Sequence, residues 1–125
     1  MKILLLFFLI CSFQVVSQED TTVFQYVDED AEFPGGTSAL TMWMHKNICY
    51  PEISDDDILY AGKIHLEFVI ERDGSISHIV VNSRCIPCKE AYINLMEISP
   101  KWIPAKLNGN NVRSIYRMPI HIDFE

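Results

Sequence analysis

Cys85-Ile86-Pro87-Cys88 is the segment of the sequence whose residue types and spacing come nearest to a reactive site. Two cysteines three positions apart, with a proline inside, open a stretch with helical apolar spacing. Free amides and the dipole at a helix N-terminus favour a thiolate, as in thioredoxin-like oxidoreductases. The surrounding order of elements is not the thioredoxin βαβ arrangement, and no downstream proline partner is identifiable. A local structural disulfide between Cys85 and Cys88 is the leading reading, and a redox pair the competing one. Cys49 adds a third thiol, so three single pairings exist and one thiol is always left over. Zinc would need Cys49 or His78 beside the pair, and the sequence holds no second CxxC and no paired histidines.

Other reactive types are scattered. Asp55-Asp56-Asp57 invites a calcium reading, but a calcium loop alternates its ligands around a glycine and closes on a distal Glu. A short solvated helix or turn fits these residues better. His45, His65, His78 and His121 lie far apart, and Glu67 and Glu71 share the outward face of a strand, where alternating charge is the ordinary pattern. No serine sits in a nucleophile elbow and no glycine-rich phosphate loop occurs. The sequence therefore predicts no catalytic constellation, no metal and no cofactor.

The elements that position these groups follow from apolar period. Phe33-Pro34-Gly35-Gly36 breaks the chain. Thr37 or Ser38 can then cap a helix in which Leu40, Trp43, Met44 and Ile48 share one face, ending at Tyr50-Pro51. Ile64, Leu66, Phe68 and Ile70 alternate with polar neighbours, a strand with one buried face. Arg72-Asp73-Gly74 is a hairpin turn, and Ile76 to Asn82 its partner strand. The apolar phase slips between Ile76 and Ile79, which predicts a bulge near Ser77-His78. Pro87 starts a second helix with Cys88, Ala91, Tyr92 and Leu95 on its face and Ile98 continuing it. Lys101 to Ala105 runs extended, and Leu107 to Asn111 turns. In the last strand, Tyr116, Met118, Ile120, Ile122 and Phe124 share a face. Pro119 cannot donate to a ladder, which places that strand at an edge or beside a bulge. The expected fold is α+β, with two helices on one face of a three-stranded antiparallel sheet. Residues 23 to 27 add an edge strand or a packed arm.

Charge and length narrow the setting. Ile3 to Val16 carries no charge, follows Lys2 and precedes Ser17 and a polar run, the layout of a secretory signal peptide at residues 1–17. It is short for a membrane span, which takes roughly 20 apolar residues. Cleavage after Ser17 leaves an acidic lead-in at 18–32 and one domain at 33–125, located in the periplasm. The lead-in is short, reaching about 50 Å when fully extended. Ten Lys and Arg residues face 17 Asp and Glu, with no basic run, so neither nucleic acid nor an anionic membrane is expected as a partner.

The order of motifs resembles the C-terminal domain of TonB, the transducer that couples an inner-membrane motor to outer-membrane receptors. The resemblance rests on Phe33-Pro34-Gly35-Gly36, Tyr50-Pro51-Glu52, Gly62-Lys63-Ile64, Asp73-Gly74-Ser75, Pro100 to Ala105, Asn108-Gly109 with Val112, and Met118-Pro119-Ile120. It covers roughly residues 33 to 124. It implies binding of an extended TonB-box peptide from a receptor plug by strand addition to the last strand. The acceptor residues it implies are Arg113, Ser114, Ile115, Tyr116 and Arg117, with the arginines turned to acidic groups on the peptide. A long spacer reaching from a motor is not part of the match, so the resemblance implies peptide binding and association with transport, not transduction. A thiol–disulfide protein using Cys85 and Cys88 is the alternative from another class. A homodimer formed through the edge strand is a third.

Overall fold

A computed structural model describes residues 22–121, except 53 and 58–61. The signal-like segment at 1–17, and Ile122 and Phe124 of the last strand, lie outside the described residues. The element order is β1 (Val23–Phe24), α1 (Gly36–Asn47), β2 (Lys63–Ile70), β3 (Ile76–Asn82), α2 (Ile86–Glu97), β4 (Ala105–Leu107) and β5 (Asn110–His121). Residues 55–57 are also helical, with Ser54 and Asp57 bonded to each other. No helix among the described residues is long and apolar enough to cross a membrane.

The molecule is α+β, but its sheet has five strands rather than the expected three. The order is β1-β5-β2-β3, with β4 paired to β5. The antiparallel β2, β3 and β5 are the strands that alternation reveals. Of the two further strands, β1 lies in the 23–27 segment expected as an edge strand or arm, and β4, three residues long, is too short to display a period.

Ile64, Leu66, Phe68 and Ile70 of β2 are each at most 1% exposed and form the middle of the core. Leu40 of α1 and Tyr92, Leu95 and Met96 of α2 join the same cluster. The bulge falls in the expected place. Glu67 pairs with Val80 and Val69 with Ser77, leaving His78 and Ile79 opposite Phe68. His78 takes a positive φ of 52° there.

Three local expectations need correction. α1 begins at Gly36 with Gly35 at its N-cap and no side-chain cap bond, so Thr37 and Ser38 lie inside the first turn. The helix ends at Asn47, before Tyr50-Pro51, and Ile48 is already extended. Ile98 does not continue the α2 face but is 64% exposed; Met96 fills the core position instead. The helix stops at Glu97, so the spacing that would turn Ile98 inward no longer applies.

Aromatic rings lock the motif residues together. Phe33 packs on Trp43 and edge-on to Trp102, and Trp102 in turn meets Phe68 and Tyr116 at 5.4 and 4.9 Å between ring centres. The Trp102 amide donates to the Gly74 carbonyl at 2.8 Å. A Cβ on Gly74 would stand 2.1 Å from the Trp102 carbonyl oxygen, and φ there is 87°. Only glycine fits both demands. Asn108 and Gly109, both at positive φ, make the two-residue turn between β4 and β5.

Candidate functional site

β5 positions the candidate site. Its twelve residues run past the end of β2, so different stretches have different neighbours. Asn110, Asn111 and Val112 pair with β4. Arg113 and Ser114 pair in parallel with Val23 and Phe24 of β1. Ser114 to His121 pair with Ile70 to Lys63 of β2. From Ile115 to Ile120, β5 therefore pairs with β2 and with no other strand among the described residues. A sheet edge of this kind offers unpaired backbone donors and acceptors to a further strand.

Two clefts border this stretch. One, of about 370 Å³, lies between the lead-in and residues 114–117 of β5, with Asp30, Glu32 and Thr37 on its far side. The second, of about 550 Å³, lies where the end of β5 meets α1; Met44, Ile48, Tyr50, Tyr92, Met118 and Ile120 give it an apolar lining. The Tyr50 and Tyr92 hydroxyls are 3.0 Å apart. Burial, and then the bond to Tyr50, push the Tyr92 phenol well above its ordinary range, so it stays neutral.

The five expected acceptor residues are contiguous on β5 but differ in surroundings. The Arg113 guanidinium forks onto Glu71, with Nε and Nη2 at 2.7 and 3.0 Å from its carboxylate oxygens. Ser77 donates to the same carboxylate at 2.6 Å. The bonds from Arg113 hold the Glu71 carboxyl below its usual range, against the opposing effect of burial. Arg117 meets Glu67, its direct cross-strand partner, at 3.2 Å in a more exposed pair. Ser114 is 6% exposed, and the Tyr116 ring belongs to the aromatic cluster. Burial raises the Tyr116 phenol. Both arginines are thus neutralised within the sheet, whereas Asp30 and Glu32 have no ion-pair partner among the described residues.

The chain matches none of the protein-family models, curated proteins or solved structures with which it was compared. The site therefore has to be read from its own geometry.

Sequence reasoning did not find the clefts. α1 contributes Met44 and Ile48, which read as core residues on an apolar helix face. A half-buried stripe and a fully buried one have the same period, so spacing could not separate them. Residues 23 to 27 read as an edge strand or arm, but their pairing with Arg113 and Ser114 was not legible, because two residues leave no pattern that fixes a partner.

The cysteines lie elsewhere. Cys85 and Cys88 are joined by a disulfide, and both are fully buried. Cys85 caps α2, its Sγ accepting the Cys88 amide at 3.2 Å. Exchange needs a thiolate to reach a sulfur, and these sulfurs are shielded. Cys49 is exposed and free. Ser77 donates its proton to Glu71 and stands 2.9 Å from His78 Nδ1, so the serine, not the histidine, is the middle member of that chain. An acyl-transfer triad needs the histidine in the middle. Among the described residues no group of three or more His, Cys, Asp or Glu is placed to hold a metal.

Proposed function

We propose that this chain is a periplasmic, TonB C-terminal-like module that binds an extended peptide from the plug of an outer-membrane receptor, in association with TonB-dependent transport. The peptide adds as a strand to β5 between Ile115 and Ile120. The observation that carries this reading is the stretch of β5 from Ile115 to Ile120, which has no second strand partner among the described residues and lies beside two clefts. Main-chain hydrogen bonds supply affinity, and alternate side chains drop towards the clefts and supply selection. The finer fold belongs to the same reading: β2, β3 and β5 are the antiparallel platform, and α1 and α2 cover one face of it. Support also comes from the residues of the resemblance, since Phe33, Gly74, Trp102 and Gly109 all hold turns or the aromatic cluster.

The charges refine the peptide. Arg113 and Arg117 are engaged by Glu71 and Glu67, while Asp30 and Glu32, at the cleft beside residues 114–117, have no ion-pair partner among the described residues. That cleft selects a basic or neutral side chain over an acidic one.

An NMR titration of the isotope-labelled chain with plug-terminal peptides tests the reading. Amide shifts concentrated on Ile115 to Ile120, stronger for a lysine-bearing peptide than for its glutamate counterpart, are expected. The proposal fails if no peptide moves those amides. The same free edge suits a second copy of the chain, and concentration-dependent broadening of these amides without peptide would mark that self-association instead.

A further inference from the structure

A third cleft, of about 540 Å³, lies away from the free edge of β5, where the start of β2, the end of β3 and the first turn of α2 meet. Lys63, Arg84 and Lys89 line it, together with Asn82 and Ser83. The chain as a whole is acidic, with net charge −7. Of its ten Lys and Arg residues, Lys2 lies outside the described part, and three of the other nine converge here. None of the three has an ion-pair partner among the described residues, whereas Arg113 and Arg117 are both paired. Cations gathered without a counter-charge repel one another, and a bound anion relieves that repulsion.

The local covalent structure fixes the cluster. Arg84 immediately precedes Cys85, and Lys89 immediately follows Cys88. The Cys85–Cys88 bridge, the Cys85 amide bond to Ser83 Oγ at 3.1 Å and the Lys89 amide bond to the Cys85 carbonyl at 3.0 Å set the two backbones relative to each other. The buried bridge holds this cationic rim in place.

We propose that this cleft binds a phosphate monoester. A dianion with three terminal oxygens matches two ammonium groups and a guanidinium, with the Asn82 and Ser83 side chains as further donors. The dianion offsets two of the three positive charges, whereas a carboxylate offsets one and offers only two oxygens. The phosphate can belong to a lipid headgroup or to a soluble ester, and the chemistry of the cleft is the same for both. This inference is independent of strand addition to β5.

The test is an NMR titration of the isotope-labelled chain with inorganic phosphate at constant ionic strength, with chloride as the control. Saturable shifts of the Lys63, Asn82, Ser83, Arg84 and Lys89 amides are expected. The double variant R84Q/K89Q, both exposed positions, should weaken binding at least about tenfold while leaving the rest of the spectrum unchanged. Removing the bridge in the double variant C85A/C88A should weaken it too, with Lys63 still in place. Co-sedimentation with phosphatidylcholine vesicles containing phosphatidate, lost in R84Q/K89Q, assigns the phosphate to a lipid. Phosphate binding without vesicle binding assigns it to a soluble ester. Shifts that never saturate, or that fall equally on Lys46, Lys101 and Lys106, would overturn the proposal.

Discussion

Glu71 ties β2 to both of its neighbours, through Arg113 of β5 and Ser77 of β3. Its carboxyl titrates below the ordinary value of 4.5 because Arg113 bonds to the charged form. A folded-state pKa below the unfolded one stabilises the fold above the unfolded value, and the stabilisation is lost as pH falls through the folded value. Glu71→Gln should therefore flatten the loss of stability below about pH 4.5, measured by denaturant unfolding across an acid pH series. An unchanged acid slope would mean the pair contributes nothing. Gly74 is the other decisive position. Gly74→Ala should cost about 3 kcal/mol in chemical denaturation, since the new methyl meets the Trp102 carbonyl at a φ that alanine resists. Asp73-Gly74 was legible in the sequence as a turn. The contact with Trp102 was not, because nothing in local spacing announces which distant backbone will rest on a glycine.

At the scale of elements, strong periods were readable and short or shared ones were not. β2, the β3 bulge and the inward face of α2 followed from alternation and from the 3.6-residue repeat. The caps did not: Gly35 took the position that Thr37 and Ser38 were expected to fill. β1 matters most for the site, because it occupies Arg113 and Ser114 through a parallel pairing of two residues. Parallel pairs are the weaker kind, and two residues hold little. A chain shortened to begin after Phe24 should let a plug peptide extend onto Arg113 and Ser114 and bind several-fold tighter by calorimetry. Equal or weaker binding would show that β1 supports the edge rather than competing for it. The Cys85–Cys88 bridge closes a very small loop, for which chain entropy gives about 2 kcal/mol. Denaturant unfolding with and without reductant should show a loss of that size.

For the whole molecule, the sequence disclosed the α+β class and the run of antiparallel strands, because these follow from which residues must be buried. The candidate site was legible only in part. Pro119 pointed to an edge, and Ile115 to Ile120 do lack a second strand partner among the described residues. The clefts beside that edge arise from how α1, the lead-in and β5 are spaced in three dimensions, which periodicity does not encode. The charge balance likewise hid the pairing of Arg113 and Arg117 and the gathering of Lys63, Arg84 and Lys89. Hydrogen exchange at the β5 amides is the most direct test of strand addition. With a plug-terminal peptide bound, alternate amides between Ile115 and Ile120 should slow, while those that already face β2 stay as they were. If the same peptide binds and protects amides elsewhere, with these unchanged, strand addition to β5 is wrong.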